Sequence, residues 1–175
     1  MCLLKKVDAS NRNVRMLAEP DSPQNQLRGE LYGVAFERIE SSLSNGNHFE
    51  VIALADSIIT DRVQALTQDI LKDEPEQYSW MSVGAAIEVL FREVKTRNII
   101  LDKELRSLLT QVHQVWSQKR NVASHGFVVI TPKNLEHGIK TRLDNLKDAA
   151  VEGASLARSI TDEIDKFRRR QGGGD

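Results

Sequence analysis

The sequence predicts an all-α protein, an up-and-down bundle of four to five helices in a single domain. Three observations carry that prediction. Long stretches repeat apolar residues at helical spacing. The connections between them are short and built from Asn, Gly, Asp and Pro. At 175 residues, with 40% hydrophobic and 28% charged side chains, the chain can bury one core without disulfides or metals.

The bulk numbers also exclude several function classes. A net charge of −1 gives no general attraction to nucleic acid or membrane, so any nucleic-acid site must be a local basic patch. Cys2 is the only cysteine, which rules out an intrachain disulfide and a thiolate metal site. Met1-Cys-Leu-Leu-Lys-Lys lacks an apolar run of signal-peptide length, and no span reaches transmembrane length. The chain reads as cytoplasmic, with no membrane partner.

Residues 1–26 show no sustained periodicity and contain Pro20, Asp21, Ser22 and Pro23. They read as an irregular N-terminal arm, either a poorly ordered terminus or an arm that embraces a second copy. A first helix is expected over Leu27–Leu43, with Leu31, Val34, Ala35, Ile39 and Leu43 as its stripe and Asn45-Gly46-Asn47 as its stop. A long second helix follows from His48 to about Lys72. Its stripe is Val51, Ile52, Ala55, Ile58, Ile59, Val63, Leu66 and Ile70. Asp56 falls on that face, where a carboxylate needs a partner. It is either a structural pair or a group that orients the polar helix end described below. Asp61 and Arg62 read as ordinary exposed charges.

Asp73-Glu-Pro75 interrupts the pattern. A third helix is expected over Ser82–Lys95, with Val83, Ala86, Ile87, Leu90, Phe91 and Val94 inward. Asn98-Ile-Ile-Leu-Asp102 is a short connector whose Asp102 can cap a fourth helix from Lys103 to about Ser124. Phe127-Val-Val-Ile130 reads as a buried extended connector. Thr131-Pro132 opens a fifth helix with proline at its first position. Its stripe runs Leu135, Ile139, Leu143, Leu146, Ala150, Gly153, Leu156, Ala157, Ile160, Ile164 and Phe167, for about ten turns. Such a helix outreaches a compact bundle, so its end is expected to pack on a partner chain. Arg168-Arg-Arg170 and Gly172-Gly-Gly174 read as a basic, flexible tail. The domain is expected over 27–168, with 169–175 as the tail.

The fourth helix carries the one chemical constellation. Leu105, Leu108, Leu109, Val112, Val115 and Trp116 recur at helical spacing. Then Lys119, Arg120, Asn121, Ser124 and His125 follow in quick succession before Gly126. Asn121 and His125 are four apart and share a face, whereas Arg120 swings further round. A strict helix does not aim Arg120 and His125 at one point. Either the helix end loosens there or two copies of the chain meet. No Walker-type glycine loop, Gly-x-Gly-x-x-Gly, His-Glu-x-x-His, EF-hand or di-iron spacing competes with it. The histidines His48, His113, His125 and His137 are scattered, so neither a metal nor another cofactor is expected.

The run from Ser82 to Phe127 resembles the HEPN superfamily, all-α domains bearing an Arg, usually a polar residue next, and a His after four to six intervening positions. Arg120, Asn121 and His125 fit the four-spacer form, as do the apolar helix before and the glycine after. The resemblance covers roughly residues 45–130. It implies a metal-independent RNase, commonly a toxin or phage-defence effector, working as a homodimer whose two motifs face one cleft. An antitoxin of nucleotidyltransferase type is a possible partner.

The chemistry can be argued from the residues themselves. Cutting RNA without metal requires activation of the ribose 2′-hydroxyl, neutralisation of charge on phosphorus, and protonation of the leaving oxygen. Histidine suits the proton transfers near neutrality, so His125 takes that role. Arg120 stays charged and can fork onto phosphate oxygens. Asn121 can hold a ribose or phosphate oxygen or fix the histidine tautomer. The expected product is a 2′,3′-cyclic phosphate. Ser124 either caps the helix or bonds at the site, and Lys119 is a solvated lysine or an added phosphate contact. A helix-end Arg and His also suit the C-terminal macrodipole with no function at all. His113 reads as a packed histidine rather than a third catalytic group. Beside the endoribonuclease stand two rival readings: a HEPN-like module that binds nucleotide, RNA or protein without cutting, and a purely structural dimerisation bundle.

Overall fold

The computed structural model describes residues 23–71, 81–124, 127 and 138–172, with the side chains of 23–25, 122, 124 and 172 outside that description. Its elements are α1 (Pro23–Ser44), α2 (His48–Ile70), α3 (Val83–Thr96), α4 (Lys103–Gln111), a π-helical turn (Val112–Trp116), α5 (Ser117–Ser124) and α6 (Ile139–Gly172). Because α4, the π turn and α5 run on without a break, the described residues form five helical rods and no strand. The all-α bundle is therefore what the chain forms.

Helix α2 is the central rod. It packs on α1, α3, α5 and α6, with its most extensive interface against α6. Every residue of its expected stripe, from Val51 to Ile70, is buried. They meet Ala86, Ile87 and Leu90 of α3, Leu105, Leu109, Val112 and Trp116 of the fourth rod, and Ala150 to Phe167 of α6 in one core. Alanines at 149, 150, 154 and 157 keep the inner face of α6 thin, which lets the longest helix lie close to its neighbours.

Local chemistry sets the boundaries. Gly46, at φ +73°, takes the left-handed conformation that the α1–α2 turn needs, and Asn45-Gly46-Asn47 does end α1. At the end of α3, Asn98 sits at φ 53° and the Ile99 N–H reaches the Val94 carbonyl at 3.0 Å, a Schellman closure. Ser82 caps α3 by accepting from the Ala85 N–H at 3.3 Å. Asp102 occupies the N-cap position of α4, but its side chain makes no cap bond; it accepts from Arg170 instead.

Several expectations need correction. Helix α1 begins at Pro23, so residues 23–26 belong to it and not to an arm; residues 1–22 lie outside the described region. Its inward face is Tyr32, Ala35, Phe36, Ile39, Ser42 and Leu43, and Leu31 and Val34 point to solvent. The expected stripe mixed two apolar faces of one helix. Asp61 and Arg62 are not loose surface charges. Arg62 is buried and donates to the Thr161 carbonyl at 3.1 Å and to Asp165, its guanidinium 5.3 Å from the Tyr32 ring centre, while the Tyr32 hydroxyl bonds Asp61.

The basic stretch 168–172 is likewise part of the fold, and residues 173–175 lie outside the described region. Helix α6 continues to Gly172, Arg168 pairs with Asp69 at 2.6 Å, and Arg170 pairs with Asp102. Ion pairs to α2 and to the start of α4 thus hold the overhanging helix end against its own chain. At the other end of α6, Leu135 of the expected stripe lies outside the described residues, Ile139 and Leu143 are exposed, and Leu146 is buried. The expected connector 128–130 and the expected helix start at Thr131-Pro132 lie outside the described residues.

Candidate functional site

The candidate site begins at the π turn. The Ser117 N–H bonds the Val112 carbonyl five residues back, and the Ser117 hydroxyl donates to the same oxygen at 3.2 Å. One wide turn of this kind shifts the phase of the helix that follows, and such turns recur at functional sites. Here Trp116 turns fully inward and Val115, expected on the stripe, is left exposed. His113, on the same turn, is half-buried against α3, with Nε2 3.3 Å from Glu88. It packs beside Gly84, where an added Cβ would lie 3.5 Å from its Nδ1.

Trp116 is the largest fully buried side chain among the described residues. Its ring lies flush on Gly153 of α6, where an added Cβ would sit 2.4 Å from Cη2 and 2.8 Å from Cζ3. Only glycine fits. The seated indole donates from Nε1 to Asp56 Oδ1 at 3.0 Å. The other oxygen, Oδ2, accepts from an Arg120 terminal nitrogen at 2.7 Å. Arg120 then folds back along its own helix, and its Nε and second terminal nitrogen both donate to Asn121 Oδ1, at 3.2 and 3.1 Å.

A continuous polar chain therefore runs from the core to the surface: indole, carboxylate, guanidinium, carboxamide. Both readings of Asp56 meet in it, for the carboxylate is a structural pair and the partner it holds is the arginine of the polar helix end. Three of the five guanidinium N–H groups are used, which leaves one on each terminal nitrogen among the described residues. The length of the arginine side chain brings the Arg120 guanidinium to Asn121. How Arg120 and His125 meet, through a loosened helix end or through a second copy, lies outside the described residues.

Asn121 is exposed, and among the described residues its amide nitrogen makes no hydrogen bond. Lys119 lies elsewhere: it crosses to α6 and pairs with Glu152. The backbone of Ser124 closes α5, but its side chain, His125 and His137 lie outside the described residues. His48 begins α2 with its Nδ1 buried and without a hydrogen-bond partner.

The exit of the motif is fixed from two sides. The Phe127 ring meets the Phe49 ring of α2 at 5.2 Å and an interplanar angle of 86°, and Arg142 of α6 donates to the Phe127 carbonyl at 3.0 Å. Trp116, Gly153, Phe49 and Arg142 were not legible as site residues. Gly153 left one signal, a glycine inside an otherwise helix-favouring stripe, where it costs about 1 kcal/mol relative to alanine unless packing requires it.

Comparisons with protein families, with curated proteins and with solved structures return no match. Among the described residues no group of three or more His, Cys, Asp or Glu side chains converges, and no helix is long and apolar enough to cross a membrane.

Proposed function

We propose that the protein is a metal-independent endoribonuclease of the HEPN kind, acting in a toxin or phage-defence role. In this reading Arg120 binds the scissile phosphate, Asn121 orients a ribose or phosphate oxygen, and His125 moves the protons. The ribose 2′-oxygen attacks phosphorus, the bond to the 5′-oxygen breaks, and that oxygen leaves with a proton. The products are a 2′,3′-cyclic phosphate and a 5′-hydroxyl.

The observation that carries the reading is the mounting of Arg120. A guanidinium anchored from behind by Asp56, steadied by Asn121 and keeping two N–H groups unused among the described residues is pre-organised for an anion. A preformed cation needs no reorganisation as charge builds on the phosphoryl oxygens. Two copies facing one cleft would supply a second histidine to share the acid and base roles, so a homodimer belongs to the proposal, as does an antitoxin of nucleotidyltransferase type. Ser124 and Lys119 are secondary, and the Lys119–Glu152 pair makes Lys119 the weaker of the two.

One observation favours the alternative, a HEPN-like module that binds RNA, nucleotide or protein without cutting. Asp56 already offsets the charge of Arg120, so the same network also serves as a helix-to-helix staple.

The two readings separate in one experiment. The wild type, Arg120→Ala and His125→Ala are expressed side by side, and growth arrest and cleavage of cellular RNA in EDTA are compared. The expected result is cleavage by the wild type with cyclic-phosphate ends, reduced a hundredfold or more in each variant. Activity that survives both substitutions removes this site from consideration, and inactivity of all three leaves the binding module.

A further inference from the structure

We propose that Phe49 is a stacking platform for an unpaired nucleobase, which makes single-stranded RNA the substrate class of the Arg120 site. The inference rests on the RNA reading above and adds to it a residue and a selectivity.

Phe49 is 47% exposed at the start of the central helix. A single exposed apolar side chain needs no function. What distinguishes this one is its mounting and its place. Its ring meets Phe127 edge to face, so the contact fixes the ring without covering all of its surface. Phe127 is in turn held through its carbonyl by Arg142. The aromatic pair is thus braced by α2 and α6 and still reaches solvent.

The placement follows from helix geometry. Phe49 and Asp56 are seven residues apart on α2, on one face and about 10 Å apart along the axis. Asp56 holds Arg120, so the ring lies about that far from the guanidinium that would take the phosphate. Ala53 stands between them, exposed and small enough to leave the path open. A distance of this order is what separates a bound phosphate from the base of the same or the adjoining nucleotide. Sequence-tolerant recognition of single strands combines these two elements, a cation for the backbone and an aromatic face for the base. In a duplex the base is already stacked and paired and cannot reach the ring.

The test uses a mixed-sequence RNA oligomer with 2′-O-methyl groups, which cannot be cut through the 2′-oxygen, and the same oligomer paired with its complement. Binding to the full-length chain is followed by fluorescence anisotropy in EDTA for the wild type, Phe49→Leu, Phe49→Tyr and Arg120→Ala, with thermal unfolding of each. Phe49→Leu keeps apolar contact with Phe127 and removes the aromatic face. It is expected to weaken single-strand binding about tenfold or more and to narrow the preference over duplex, with Tm near that of the wild type. Phe49→Tyr is expected to restore both. On unmodified RNA, Phe49→Leu should raise KM and leave kcat nearly unchanged, because stacking is equally present in ground and transition states. Unchanged single-strand affinity in Phe49→Leu, with binding lost in Arg120→Ala, overturns the platform and leaves the RNA site standing. Loss in Phe49→Leu by a wild type that binds but never cuts supports the platform and removes the nuclease. No binding of either RNA by the wild type overturns both.

Discussion

Helix α2 carries arginine–aspartate pairs to α6 and to α5, and two of them, Arg62–Asp165 and Asp56–Arg120, are built inside out relative to each other. In the first, the Arg62 side chain is 8% exposed and its partner Asp165 is 45% exposed. In the second, Arg120 is 30% exposed and Asp56, the inner member, 21%. The buried guanidinium of Arg62 is spent on a backbone carbonyl, a carboxylate and an aromatic face. The half-buried carboxylate of Asp56 accepts from an indole on its inner side and holds its arginine at the rim. Which member of the pair faces inward decides what solvent and ligands meet. Around Arg62 the result is a staple, and around Arg120 a mounted cation.

Gly153 gives the largest expected effect, and it falls on the second pair alone. Gly153→Ala drives a methyl group into the Trp116 ring, and stability is expected to fall by about 3 kcal/mol in urea unfolding. On the proposed nuclease function, cleavage of RNA should fall with it, because a displaced indole releases Asp56. Gly33→Ala is the matched control: an added Cβ there meets nothing within 4 Å, and stability should rise by about 0.5–1 kcal/mol.

Next comes the staple itself. Arg62→Met keeps the apolar stem and removes the guanidinium, at an expected cost of about 2 kcal/mol, less than for a fully buried pair because Asp165 can be solvated. Cleavage per folded molecule should stay at the wild-type rate. If it collapses instead, the functional division between the two pairs is wrong.

Asp56→Asn is a smaller perturbation. It preserves shape and removes the charge that anchors Arg120, so stability should drop by about 1 kcal/mol and single-turnover cleavage about tenfold. The smallest effect concerns neither pair and serves as a baseline for surface electrostatics. The Ser42 hydroxyl, at 2.5 Å, and then Arg38, at 2.7 Å, hold the Glu50 carboxyl below its ordinary value of 4.5. A lowered folded-state pKa contributes stability above the unfolded value and loses it as pH falls through the folded one. The Tm difference between wild type and Glu50→Gln should therefore be steady near neutrality and shrink below about pH 4.5.

Much of the fold was legible because helical periodicity is a local property. The buried stripe of α2 was readable residue by residue, and so were the Asn45-Gly46-Asn47 stop and the Ser82 start of α3. Arg62 was misread for an equally physical reason. A charged residue beside an apolar stripe looks solvated until another helix supplies a carboxylate, a carbonyl and a ring. Leu31 and Val34 failed in the opposite sense, since an apolar residue advertises burial even where no neighbour comes to cover it. Arg168 and Arg170 were assigned to a free tail because their partners, Asp69 and Asp102, are far away in sequence.

The sequence by itself determined the helices, their approximate limits, the inner face of the central rod and the succession of Arg120 and Asn121 at the end of the fourth rod, all of which depend on neighbours within a few turns. Only the tertiary structure decided how Arg120 is held. Its mounting needs a carboxylate 64 residues earlier, an indole that a π turn rotates inward, and a glycine on α6 that makes room for the ring. Burial, partner and direction of a side chain are set by whatever packs against it, and residues so far apart along the chain become neighbours only when the core closes.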